Sequence, residues 1–125
     1  VVLAGKRRQY IIKRLEESNI SYRYFEMASI EKLNKLYNIL DLYIVTSRVE
    51  GGPQAIVECG ITKTPIISTD VGVAGEILSP DSIFSKNEYI NAKPNIEFAY
   101  NNSKKLTIPE GMRSYEKLLI DIYEN

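Results

Sequence analysis

Histidine and tryptophan are absent from this sequence of 125 residues. Without an imidazole, no unperturbed side chain titrates near neutral pH, so any acid–base chemistry rests on carboxylates, backbone amides or groups outside the chain. Neither an Asp-x-Asp pair nor a His/Cys cluster offers metal ligands, and no metal or other cofactor is expected. The single cysteine, Cys59, permits no internal disulfide and suits a reducing, cytoplasmic setting. Charge of one sign is missing too. Sixteen Lys+Arg balance sixteen Asp+Glu, which excludes a broad footprint for nucleic acid or anionic membrane and makes any anion site a local one. No apolar run approaches the roughly 20 residues of a transmembrane segment, and no signal-peptide pattern opens the chain. The sequence starts on Val1, within an apolar run, and reads as an N-terminally truncated piece of a longer polypeptide.

What remains has the length of one domain and the make-up of a folded protein: 44% hydrophobic, 26% charged, seven glycines and five prolines. Residues 1–125 are therefore read as a single domain. Short apolar runs alternate with helical patterns. Val1-Val2-Leu3-Ala4-Gly5 reads as a buried strand ending in a glycine turn. In residues 8–19, Ile11, Ile12 and Leu15 share one helical face. A second strand is predicted over 20–25, and Ser29 is placed to cap a helix carrying Ile30, Leu33, Tyr37 and Leu40. Residues 42–47 read as a third strand. A tight turn, Glu50-Gly51-Gly52-Pro53, then feeds a helix over 53–61 with proline as its first residue. A fourth strand is predicted at 65–69, a glycine loop at 70–75, a helical turn at 76–78 and a weak strand at 82–84. Residues 85–106 are polar, with one short helix expected at 95–100. The stretch 109–125 reads as an amphipathic terminal helix through Met112, Tyr115, Leu118, Leu119, Ile122 and Tyr123. Strands alternating with helices, without hairpin turns, predict an α/β fold: a Rossmann-like parallel sheet with helices on both faces. Ligands of such sheets lie at the carboxyl ends of the strands, so the loops after Leu3, Phe25, Ser47 and Thr69 are expected on one rim.

The informative segment is Ser47-Arg48-Val49-Glu50-Gly51-Gly52-Pro53-Gln54-Ala55-Ile56-Val57-Glu58. Gly51 and Gly52 allow a sharp turn and close backbone approach to a ligand. The helix that follows presents unpaired N–H groups and the positive end of its dipole, a site suited to a diphosphate. Pro53 has no N–H, which leaves Gly52, Gln54 and Ala55 as donors. Glu58 sits about 7–8 Å beyond the helix start, at roughly 1.5 Å per residue. That offset lets one carboxylate hold a sugar and the other a ribose, because each carboxylate oxygen can accept from a separate hydroxyl. A structural reading fits the spacing equally well: such turns occur in many α/β proteins, and Glu50 can simply favour a helix N-terminus.

Glu50 through Glu58 resembles the E-x7-E motif of the retaining GT-B glycosyltransferases that include sucrose and glycogen synthases and bacterial lipopolysaccharide transferases. Residues 33–47 resemble that family's helix-to-strand passage, ending in Asp-hydrophobic-hydrophobic and then Ser. "PIISTDVGVAGEIL", residues 65–78, resembles its next strand and glycine loop, and residues 112–123 its terminal helix. The likeness runs from Val1 to Leu78 and is weak over 81–105. It implies the C-terminal, donor-binding half of a GT-B fold, acting on a nucleotide diphosphate sugar (UDP- or GDP-sugar) with retention, and an N-terminal acceptor domain that is missing from this sequence. Any membrane contact would be peripheral and made by that domain. By the same resemblance Glu50 contacts the transferred sugar and is the catalytic candidate, while Glu58 contacts the ribose. The Gly51, Gly52, Gln54 and Ala55 backbone cradles the diphosphate and sugar, Met27 lies near the base, and Gly72 belongs to the loop that closes beside the sugar.

This sequence departs from the family pattern in places. Val73 stands where many members have a second glycine, and Lys63 where glycine often follows the helix. No Arg or Lys matches the family's basic pair on the diphosphate; Lys6, Arg7 and Arg8 fall on the right rim but read as a solvated helix start. Cys59 falls on an apolar helical face and reads as core. The nine tyrosines read as core edges. Two rivals stay open: a nucleotide-sugar epimerase-like enzyme on the same fold, and a non-catalytic doubly wound binding module. A response-regulator-like module needs an acidic cluster after the first strand, where this chain has Gly5-Lys6-Arg7.

Overall fold

The computed structural model describes residues 1–85 and 88–124. Its elements are β1 (Val2–Ala4), α1 (Gln9–Glu17), β2 (Arg23–Phe25), α2 (Ile30–Tyr37), β3 (Tyr43–Val45), α3 (Gln54–Ile61), β4 (Ile66–Thr69), α4 (Ala74–Ile77), β5 (Ile83–Phe84), α5 (Ile96–Lys104) and α6 (Arg113–Glu124), with 3₁₀ turns at Pro80–Ser82 and Glu110–Met112. Every described strand pairing is parallel, and the strands are flanked by helices, as the alternation predicts. The expected single sheet is divided in two. β1 pairs with β2, and β3, β4 and β5 form a second sheet in that order. Alternation fixes the relative direction of successive strands but not which neighbour each one takes. The chain correspondingly separates into two compact units, Val1–Leu36 and the part beginning at Tyr37.

In the first unit, α1 joins β1 to β2, with Val2 opposite Arg23 and Ala4 opposite Phe25. Leu15 is the one buried side chain of residues 1–36. α1 ends in a left-handed residue, Asn19, at φ 52°. The Asn19 N–H bonds to the Glu16 carbonyl at 3.0 Å and the Ile20 N–H to the Leu15 carbonyl at 2.8 Å, the paired bonds that close a helix C-terminus. That cap takes up Ile20, so β2 starts at Arg23 although the alternating pattern begins at residue 20. Ser29 caps α2 as predicted, its Oγ accepting from the Lys32 N–H at 3.3 Å.

The second unit holds the core. β4 is its middle strand, with Ile66, Ile67 and Ser68 buried. α2 ends at Tyr37, three residues short of Leu40, where the Thr64 hydroxyl donates to the Tyr37 carbonyl at 2.8 Å and stands in for a further helical turn. α3 packs against β4, α4 and α5, burying Ile56, Cys59 and Gly60. It closes with the same paired bonds as α1: Lys63 N–H to Gly60 carbonyl at 3.2 Å, and Thr64 N–H to Cys59 carbonyl at 2.9 Å. Lys63 takes φ 56°, so the position does call for glycine-like backbone freedom. Its ammonium offsets part of the cost, pairing with Glu97 at 3.0 Å and lying 4.4 Å from the Tyr100 ring centroid.

α5 runs to Lys104, four residues past the expected end, from a cap in which the Phe98 N–H donates to Asn95 Oδ1 at 3.1 Å. Its buried residues, Ala99 and Ser103, are four apart and small, and a hydrophobic pattern does not register them. α6 forms over the stretch predicted, but Leu118, Leu119, Ile122 and Tyr123 are each more than half exposed. Among the described residues, no helix is long and apolar enough to cross a membrane.

The α3–α5 contact depends on small side chains. A Cβ on Gly60 would fall 1.9 Å from Ser103 Oγ and 3.0 Å from the Ala99 carbonyl oxygen. The Ser103 hydroxyl there is buried and has no hydrogen-bond partner among the described residues. Two opposite outcomes are expected in chemical denaturation. Gly60→Ala forces the helices apart and lowers stability by about 1–3 kcal/mol. Ser103→Ala removes an unsatisfied hydroxyl and raises stability by about 1 kcal/mol. A destabilised Ser103→Ala would mean that the hydroxyl is satisfied in solution.

Candidate functional site

The site is built where the chain leaves β3. Thr69 Oγ1, at the end of β4, donates to the Ser47 carbonyl at 2.7 Å and ties the carboxyl ends of the two strands together. Ser47 Oγ in turn donates to Glu50 Oε1 at 2.8 Å, so the exposed carboxylate is held back toward the end of β3. The loop after β4 then closes on the turn. Gly72 has φ +49°, and a Cβ on it would lie 2.8 Å from the Gly51 carbonyl oxygen and 2.9 Å from the Gly52 nitrogen. Backbone therefore packs directly on backbone here, which glycine alone permits. Val73 has an ordinary φ of −80° and needs no glycine; its Cγ1 comes within 4.0 Å of where a Gly52 Cβ would stand.

α3 begins at Gln54, one position later than predicted, with Pro53 as its N-cap instead of its first residue. The proline φ of −66° suits a helix, but its ψ of 108° is extended and keeps it outside. Proline has no side chain able to accept a hydrogen bond, so the helix start is uncapped. The Ile56 N–H bonds to the Pro53 carbonyl at 3.0 Å. The N–H groups of Gln54 and Ala55 find no acceptor among the described residues. Two free donors and the positive end of a helix dipole, worth roughly half a unit charge, thus face outward beside the glycine turn.

Glu58 is the fifth residue of α3, and its exposed carboxylate accepts at Oε2 from the Tyr37 hydroxyl at 2.7 Å. Tyr37 is 8% exposed, with its ring 5.7 Å from that of Tyr43. Burial, and then the hydrogen bond to Glu58, push the Tyr37 phenol far above its usual range, so it remains a donor. An open cavity of about 320 Å³ is lined by Gly52, Pro53, Gln54, Val57, Glu58, Val73 and Leu106. A second cavity of the same size, at Pro80, Asp81, Phe84 and Glu88, shares no residue with it. Cys59 is fully buried behind Glu58, and burial pushes its thiol up to about 12, as befits a core residue.

The structure thus gathers Glu50, Gly51, Gly52, Gln54, Ala55, Glu58 and Gly72 in the second unit. Met27 lies in the first, exposed on the loop after β2. Also in the first unit, Lys6 and Arg7 are exposed, while Arg8 turns back so that its Nε donates to the Ala4 carbonyl at 3.0 Å. Sequence reasoning missed three contributors. Ser47 stands three residues before Glu50, a spacing that signals a local side-chain bond. Tyr37 read as part of an apolar helical face, and nothing in the sequence pairs it with a carboxylate 21 residues away. Leu106 stands at the end of the stretch read as polar, past the helix expected there.

Gly72→Ala is expected to combine a strained φ with a backbone collision, costing about 2 kcal/mol or more of stability. Gly51→Ala, where a Cβ meets nothing within 4 Å, is the control and should cost much less. Equal losses in thermal unfolding would show that the loop after β4 does not rest on the turn in solution.

Comparison with curated proteins finds no match. The family model for glycosyl transferases group 1 matches residues 1–110. That span contains the five described strands and both glutamates that bracket the turn. A parallel α/β arrangement with an uncapped helix start accords with binding of a nucleotide sugar. The chain belongs to the glycosyl transferases group 1 family.

Proposed function

We propose that this chain is the donor-binding domain of a retaining glycosyltransferase, the C-terminal half of a GT-B enzyme, taking a UDP- or GDP-sugar. The observation that carries the reading is the uncapped start of α3, with free Gln54 and Ala55 N–H groups between Glu50 and Glu58. The diphosphate sits on those donors, Glu58 takes ribose hydroxyls, and Glu50 faces the sugar. When the anomeric C–O bond breaks, its electron pair leaves with the diphosphate. Fixed N–H groups stabilise that charge without having to reorganise. Glu50 supports the positive charge that builds at the anomeric carbon until the acceptor hydroxyl oxygen bonds there, its proton passing to the departing diphosphate. The cavity of about 320 Å³ is at the low end of small-molecule sites, near 300–1,000 Å³, and suits part of a nucleotide sugar. The remainder, and the acceptor, belong to an N-terminal domain outside this chain.

Titration with a panel of nucleoside diphosphates tests the binding half of this reading. Glu58→Ala is expected to weaken the best-bound ribonucleotide by about 1.5–3 kcal/mol, nearer the lower value because the carboxylate is exposed. With the 2′,3′-dideoxy counterpart the loss should largely vanish. If both ligands lose equally, Glu58 does not serve the ribose.

Glu50→Gln, placed in a polypeptide that carries the acceptor domain, separates sugar handling from nucleotide handling. Binding of the free nucleoside diphosphate should stay near the wild-type value. The carboxylate acts more strongly in the transition state than in the ground state, so kcat should fall with a modest change in donor KM. An unchanged kcat would remove Glu50 from the sugar end.

A further inference from the structure

Glu58 is exposed and lies on a helix, yet it is not a free carboxylate. One of its oxygens, Oε2, accepts a 2.7 Å hydrogen bond from the buried Tyr37 hydroxyl. Tyr37 is itself fixed from several sides. Its ring lies beside Tyr43, 5.7 Å between centroids. Its carbonyl accepts from Thr64 Oγ1 at 2.8 Å, and Thr64 belongs to the bonded turn that closes α3. The same helix thus carries Glu58 and, through its end, anchors the residue that holds Glu58.

An unheld glutamate on a helix surface has three rotatable bonds and loses their freedom when it binds a ligand. A carboxylate held at one oxygen has lost part of that freedom beforehand. Its other oxygen, Oε1, makes no hydrogen bond among the described residues, and Glu58 lines the cavity at the α3 start. A Tyr37 phenol kept protonated by burial stays a donor at Oε2, so ligand hydroxyls must meet the acceptor capacity that remains, chiefly at Oε1.

We propose that Tyr37 is the positioning residue of the nucleotide site: it orients the Glu58 carboxylate toward the ribose diol and so sets the preference for ribose over deoxyribose. The proposal rests on the reading of Glu58 as the ribose carboxylate. It assigns Tyr37 no contact with the ligand. Tyr37 acts only through Glu58, and the phenyl ring without its hydroxyl keeps the packing but loses the effect.

Isothermal titration of the 125-residue chain with UDP and GDP, each compared with its 2′,3′-dideoxy form, tests the assignment. For the tighter-binding nucleotide, Tyr37→Phe should weaken the ribo form about 3–10-fold, the worth of one oriented hydrogen bond. Binding of the dideoxy form should stay within about twofold of wild type, a split that a general structural defect does not produce. In a Glu58→Ala background, Tyr37→Phe should have no further effect on either ligand. Should Tyr37→Phe fail to fold, Tyr37→Leu fills much of the same space without a hydroxyl and should give the same ribose-selective loss. Tyr37 is only structural if its substitution weakens both forms alike, or neither, while Glu58→Ala remains ribose-selective. If Glu58→Ala also weakens both forms alike, or if wild type binds neither UDP nor GDP, the reading of Glu58 fails and the proposal fails with it.

Discussion

Gly72 rests its backbone on the Gly51–Gly52 peptide, and the geometry of the site follows from that contact. A left-handed φ brings the loop after β4 down onto the turn after β3, close enough that any side chain on Gly72 would meet backbone at less than 3 Å. The Thr69 to Ser47 hydrogen bond makes the same connection one step closer to the strands, and Ser47 to Glu50 carries it on to the carboxylate. Two adjacent parallel strands, β3 and β4, thereby lend their rigidity to a turn with no regular structure of its own. The turn delivers the chain into α3 with the N–H groups of Gln54 and Ala55 pointing outward.

α3 is treated differently at its two ends. The C-terminus is closed by paired backbone bonds, although Lys63 must adopt a left-handed conformation to make them. The N-terminus is left open, with a proline in the place where Ser, Asp or Asn would usually satisfy the first N–H groups. An uncapped start costs stability, on the order of 1 kcal/mol by comparison with capped helices. That loss is offset along the helix body, where Ile56 and Cys59 are fully buried and Gly60 lets α5 approach closely. The unsatisfied end is thus tolerated because the body is well packed, an arrangement typical of a helix start reserved for an anion.

Much of this was legible in the sequence because it depends on local rules. Alternating apolar runs give the strands, Ser29 gives the α2 cap, and Gly-Gly-Pro followed by a helical pattern gives the turn. Boundaries shifted where a local bond competed with the pattern: Ile20 is drawn into the α1 cap, and Tyr37 ends α2 because Thr64 takes its carbonyl. The length of α5 was hidden because its contact face is made of Ala99 and Ser103. Non-local pairings left no trace. The choice of strand partners, the Gly72 contact and the Tyr37–Glu58 bond each depend on residues far apart in sequence, brought together by geometry that composition and period do not encode.

The absence of histidine takes on meaning once the site is assembled. Acid–base catalysis at neutral pH has no natural agent here. The one thiol is buried and pushed up to about 12, which removes it as a nucleophile. What the chain retains is unpaired backbone N–H groups and exposed carboxylates, which on the proposed reading serve a leaving anion, ligand hydroxyls and developing positive charge. That inventory suits a reaction whose difficulty is charge separation more than proton transfer. Departure of a nucleoside diphosphate from an anomeric carbon is such a reaction, because the leaving group is already a stable anion and needs no proton from the protein to depart. Since the chain carries no net charge, a diphosphate gains little from long-range attraction. On the proposed reading, recognition falls to the few fixed groups at the start of α3, and their orientation decides which ligand is held.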